Sequence, residues 1–351
     1  MSEGDLVHEE TESIFSTPWV ARVGIFLGVF LLSFDGILLT RVEELTSDFL
    51  DTLFWKYFFL TLFSTPMTIR LIGGLSQLPQ EFEWEGSRYM WIGAVLESMY
   101  SLTACIALIY AEPAIVSLLL GLAPVWAGGF GTLVLGEKLQ LHTMVVILVC
   151  LMAMGVCFLG KLVQDDESES RHSSGDRNAG IISGLLGGML IGAATINYKV
   201  GPTTGRGSDR MFLVVPIGGF VMSFGILLAS FCGAGSISSP SAESLGWSFV
   251  NGVIGSIFNF VYVKVAMHLS AVEVNLFLLL EAVFYPAWAW LFLHNSSSWT
   301  SIAALSIVLA ALAGYLWWDH KLVTDEALKM KQTLHRNHTI EKDLYKTHST
   351  S

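Results

Sequence analysis

Residues 118–137 read LLLGLAPVWAGGFGTLVLGE, and residues 276–295 read LFLLLEAVFYPAWAWLFLHN. Laid so that Leu118 meets Leu276, the two stretches share an apolar, proline and aromatic pattern. Val125 meets Val283, Leu133 meets Leu291 and Leu135 meets Leu293, and the preceding chain breaks at Pro113 and Ala271 coincide. Each stretch has the roughly 20 apolar residues needed to cross a bilayer core of about 30 Å. A membrane helix that recurs in one register predicts that a larger unit has been duplicated.

Working outward, apolar runs of similar length fill the chain. Spans are expected near 19–39, 50–72, 89–110, 113–135 and 141–162, then near 180–200, 211–232, 247–269, 272–293 and 299–318. About ten transmembrane helices result, or eight if the close pairs around Glu112 and Ser270 each merge into one. The expected organisation is a polar tail over 1–18, a five-helix unit over 19–162, a polar extramembrane linker over 163–179, a second five-helix unit over 180–318, and a tail over 319–351. The hydrophilic run 164–178 is rich in Ser, Asp and Glu and is expected to be disordered. An odd number of spans per unit turns the second copy upside down relative to the first, the inverted-repeat design of many secondary transporters. The fold class read here is therefore an all-α integral membrane protein built from two inverted five-helix repeats.

Composition agrees. The 351 residues are 53% apolar and 14% charged, where a soluble domain is roughly a quarter charged. The net charge of -11 comes largely from the ends and loops, including Glu3, Asp5, Glu9, Glu10 and Glu12 and the acidic run 165–169. Nothing resembles a nucleic-acid patch, so the lipid bilayer and a small-molecule substrate are the expected partners. Cys105, Cys150, Cys157 and Cys232 lack zinc-ligand spacing and read as small core residues. The first 17 residues lack a basic n-region and an apolar h-region, so the first span itself is expected to direct insertion. Lys and Arg concentrate in the segments that are cytoplasmic if both termini are inside, the orientation expected from the positive-inside rule. Plasma membrane and endomembrane both remain open.

The passage ALIYAEPAIVSLLLGLAPVWAGGFGTLVLGEKL resembles the third-to-fourth helix signature of the EamA domain in the drug/metabolite transporter superfamily, and LLLEAVFYPAWAWLFLHN resembles its second-half counterpart. Gly136-Glu137-Lys138 is similar to the family's Gly-Glu ending, whereas His294-Asn295 replaces it in the second copy and Ala282 stands where many members carry proline. The resemblance implies a carrier that works by alternating access and needs no cofactor. A multi-pass membrane enzyme, or a receptor or scaffold without transport activity, is the alternative.

Ionisable residues inside spans are the sharpest candidates, because a charge at the bilayer centre costs at least about 2.5–3.5 kcal/mol on insertion scales. Glu97 and Glu281 lie deepest, too far from either interface to snorkel easily. Tyr100 stands beside Glu97, Tyr285 is one turn from Glu281, and Asn275 is on the same span as both. With Lys56 and Asn259 these form the expected substrate-binding set. Asp35, Lys264 and Glu273 are further intramembrane charges, and either lysine is a candidate counter-charge that would make the carboxylates helix pins instead. A protonating midplane Glu would allow proton coupling or exchange. Gly184, Gly188 and Gly192, like Gly24 and Gly28, form small-residue stripes, read as helix packing within the bundle, with a homodimer face as the alternative. Gly128, Gly129 and Gly131 lack the following Lys-Ser/Thr of a phosphate-binding loop.

Overall fold

The computed structural model describes residues 17–46, 48–110, 116, 119–137, 140–164, 174–204, 210–233, 237, 240–293, 303, 306–318 and 321. Among them every regular element is helical. The helices are α1 (Pro18–Leu32), α2 (Asp35–Leu45), α3 (Phe49–Leu71), the short α4 (Leu78–Glu81), α5 (Trp84–Tyr110) and α6 (Ala123–Phe130). They continue with α7 (Leu141–Gln164), α8 (Ser174–Val200), α9 (Val214–Phe231), α10 (Ala242–Ala266), α11 (Ala271–Leu293) and α12 (Ser306–Trp318).

Five helical stretches, Pro18–Leu45, Ser87–Ala107, Asn178–Val200, Met211–Phe231 and Ala242–Ala266, are long and apolar enough to cross a membrane. The distribution of polarity fits that solvent. Phe26, Leu102, Leu133, Leu148, Phe220 and Phe231 face outward, while Asp51, Thr195, Asn197, Asn251 and Asn275 are buried. A water-soluble bundle arranges these classes the other way round. Among the described residues the protein is all-helical, with the length, apolarity and outward-facing apolar side chains of a membrane protein.

Local chemistry sets the helix ends. Pro18 occupies the first turn of α1, where a missing N–H costs nothing. The Asp48 carboxylate caps α3 by accepting from the Leu50 N–H at 2.9 Å, and Ser241 caps α10 by accepting from the Ser244 N–H at 3.1 Å. α6 widens into a π turn over Gly131–Leu135, which ends on Gly136 at φ 66°, a left-handed position that glycine adopts without a Cβ clash.

Two expectations need correction and one gains detail. The span expected near 19–39 is part of one membrane-length run, Pro18–Leu45, with a turn at Ser33 and Phe34 inside it. There the Ser33 hydroxyl donates to the Phe30 carbonyl at 2.6 Å and accepts from Trp288 Nε1 at 2.7 Å. The run 164–178 is helical at both ends, because α7 extends to Gln164 and α8 starts at Ser174; residues 165–173 lie outside the described residues. Cys105 and Cys150 are buried as expected, but Cys232 is exposed where α9 ends. The side chain of Cys157 is outside the described set.

α5 packs along α8, α10 lies against α1, α2 and α3, and α9 fits between α3 and α5. The glycine stripe on α8 is used inside the chain. A Cβ at Gly188 would stand 2.6 Å from the Leu119 carbonyl oxygen, one at Gly192 would be 3.0 Å from the Ala127 nitrogen, and one at Gly184 would be 2.9 Å from Leu119 Cδ1. Gly188→Ala is therefore expected to destabilise the purified protein by about 1–3 kcal/mol, the usual cost of overpacking. At Gly155 an added Cβ meets nothing within 4 Å, so Gly155→Ala serves as the control. Equal thermal unfolding of the two variants would contradict the contact.

Candidate functional site

The interrupted first span delivers the first functional side chain. Asp35 opens α2, so its carboxylate sits in the first turn of a helix, where the dipole favours negative charge. Lys56 on α3 meets its Oδ2 at 2.7 Å, and Asn251 on α10 donates to its Oδ1 at 2.7 Å. One carboxylate thus ties α2, α3 and α10. Beside Lys56, the buried Tyr57 faces Ser101 and Cys105 on α5.

Glu97 and Tyr100 lie on the same length of α5, and Gly218 on α9 leaves room for the acid, since a Cβ there would stand 3.3 Å from Glu97 Cγ. Tyr100 is within electrostatic reach of Glu97, Asp35, Tyr262 and Glu281. Glu281 on α11 in turn feels Asp35 and Lys56. Helices far apart in sequence therefore bring Asp35, Lys56, Glu97, Tyr100 and Glu281 into one polar region.

The two deep glutamates differ from the other intramembrane acids. No hydrogen bond or ion pair closes on either carboxylate among the described residues, and neither side chain is exposed. Tyr198 on α8 is fully buried; its hydroxyl faces Glu97 but falls outside hydrogen-bond geometry and has no other partner. Its ring packs edge-on against Tyr262 at 5.7 Å, and Tyr262 stacks on Phe258 at 5.6 Å.

The other expected site residues separate from this group. Asn275 is fully buried and acts as a pin, donating to Thr195 Oγ1 at 2.9 Å and to the Ala271 carbonyl at 2.8 Å. Thr195 also shares a 2.6 Å hydrogen bond with the Tyr262 hydroxyl. Asn259 donates to the Gly255 carbonyl of its own helix at 3.0 Å. Tyr285 belongs to α11, but its side chain is outside the described residues. Lys264 does not reach the glutamates; it is buried with its ammonium 5.9 Å from the Phe212 ring. Sequence reading missed Tyr57, Tyr198 and Asn251, which the fold adds to the cluster.

A second group of charges lies at the end of the bundle where α1 begins. Arg22 pairs with Glu273 at 2.6 Å, Arg210 with Glu81 at 2.5 Å, and Lys199 with Glu137. Each pair joins a residue before the linker to one after it. At the opposite end Arg41 pairs at 2.8 Å with Glu44 of its own helix. Among the described residues no group of three His, Cys, Asp or Glu side chains is placed to hold a metal ion.

No family model matches the chain, and no curated protein matches it. Solved structures do. One match, described only as the crystal structure of a protein, superposes with a TM-score of 0.67 over 86% of this chain and 98% of its own, at 14% identity. That likeness carries the fold alone.

Proposed function

We propose that this chain is a secondary active carrier of a small polar metabolite, similar to the EamA-type members of the drug/metabolite transporter superfamily, with about ten spans in two inverted five-helix units. The observation that carries the reading is the polar cluster between the units, in which Glu97 and Tyr100 come from the first and Glu281, Tyr198 and Tyr262 from the second. Its two unengaged carboxylates suit a site that must take up and release something, whereas a purely structural acid is tied off as Asp35 is.

The helix packing supports the inverted repeat. α3, α6, α7, α11 and α12 fall where the sequence expects the second, fourth, fifth, ninth and tenth spans. Exchanging the units turns the α5–α8 contact into that of α10 with α1 and α2. It turns α3–α10 into α9–α5 and α6–α8 into α11 with α1 and α2, and it leaves α3–α9 and α6–α11 unchanged. All of these contacts exist. The break in the first span adds the discontinuous helix that such carriers place at the midplane site. The three inter-unit ion pairs at one end read as a closed gate, with passage from the other end.

Alternating access makes one position reachable from both sides of the membrane in turn. With the four cysteines replaced by serine, Tyr100→Cys in proteoliposomes is expected to react with a membrane-impermeant maleimide from either side. Reaction from one side only, or from neither, would favour a receptor or scaffold and remove the carrier reading. Proton coupling predicts that the ratio of the two rates depends on pH, and that Glu97→Gln and Glu281→Gln flatten this dependence without preventing insertion.

A further inference from the structure

We infer that the substrate of this site is a small organic cation, an amine carrying an apolar or aromatic body. The inference rests on the carrier reading for transport, but not for binding. Its basis is a census of charge around the cluster. Asp35 is matched by Lys56 at 2.7 Å and by Asn251. Among the described residues the other buried or half-buried cations are already engaged: Arg22 by Glu273, Lys199 by Glu137, Arg210 by Glu81, and Lys264 over the Phe212 ring. Neither Glu97 nor Glu281 closes an ion pair among the described residues, and the field of Lys56 that reaches Glu281 is shared with Asp35.

A carboxylate held away from bulk water gains most from a positive partner, because the surroundings screen the attraction poorly. The same pair of acids repels an anion and gives a neutral solute no such gain, so the site discriminates by charge before shape. The walls fit this reading. Tyr100 lies in the field of both acids, and the Tyr198 and Tyr262 rings pack edge-on against each other; aromatic rings attract ammonium groups as well as apolar bodies. The Tyr198 hydroxyl is the independent sign of a ligand. It is a fully buried polar group turned toward Glu97 with no hydrogen bond made, and buried hydroxyls are rarely left so. An ammonium seated at Glu97 would donate to its oxygen.

Isosteric trios test the charge alone. Tyramine, tyrosol and 4-hydroxyphenylacetate share a ring and differ in the end group; propylamine, propanol and propionate do the same for a smaller site. Calorimetric titration of the purified full chain is expected to give at least about tenfold tighter binding of an amine than of its alcohol, with the acid weakest, as a charge-assisted contact provides. Glu97→Gln combined with Glu281→Gln should bring the amine to the level of the alcohol while thermal unfolding stays near the parent. Tyr198→Phe should weaken the amine several-fold and leave the alcohol nearly unchanged. The proposal is overturned if neither amine is preferred to its alcohol and acid, or if the double variant keeps the preference. Two-sided labelling of Tyr100→Cys without amine preference leaves a carrier with a different cargo. Amine preference with one-sided labelling leaves a cation receptor.

Discussion

Arg22→Glu is expected to raise labelling of Tyr100→Cys from the Pro18 end of the bundle by about a hundredfold. The parent pair is close at 2.6 Å and largely screened from solvent, with side-chain exposures of 12% and 7%. Breaking a buried pair by removing one partner costs about 3–5 kcal/mol, and here the new acid also repels Glu273. In a two-state equilibrium that energy acts against the closed arrangement alone, and a shift of this size moves a dominant state into the minority. The reversed pair, Arg22→Glu with Glu273→Arg, should restore most of the closure. It should fall short by about 0.3–1 kcal/mol, because Glu273 occupies the first turn of α11, where the helix dipole favours an acid over a base. Unchanged labelling in the single variant would mean that the ion pair does not hold this end shut.

The second large effect concerns Asp35. Lys56→Met leaves that carboxylate with Asn251 as its remaining direct contact, and the loss in unfolding free energy is expected to be about 3 kcal/mol. Adding Asp35→Asn should return most of it, since an amide in the same place carries no charge to be compensated. Thermal unfolding of the two variants in detergent decides the point. If the single and double variants melt together, the pair contributes nothing to the bundle. The comparison also separates roles within the cluster: stability should follow Asp35 and Lys56, whereas Glu97 and Glu281 can be neutralised with little effect on folding.

The spans were legible because lipid demands length and apolarity, both visible in one dimension. Glu97 and Glu281 were legible for the same reason, as charges where the solvent tolerates few. Partnership was not. Asn275 has the same sequence credentials as a site residue, yet it faces the contact with Thr195 on α8, and only the rotation of α11 about its axis decides which way an amide points. Tyr198 follows Asn197 and looks like an ordinary interfacial tyrosine until the packing of α5 on α8 sets it opposite Glu97. The turn at Ser33 escaped notice because the stretch FLLSFDGILL contains no proline and only one charge. It is held by a hydrogen bond from Trp288, far along the chain.

That same contact belongs to a column of rings. Phe26, Phe30 and Phe34 rise one turn at a time along the first span, facing Phe284, Trp288 and Phe292 spaced likewise on α11, with centroids 4.3–6.1 Å apart. Aromatic pairs settle edge-to-face or offset-stacked, and both arrangements occur in this column. A surface that repeats every turn resembles itself after a slip of about 5.4 Å, so two of the three ring levels would still find a ring opposite, like teeth on matched racks. The Trp288–Ser33 hydrogen bond, which has no equivalent one turn away, works as the detent that marks the present tooth.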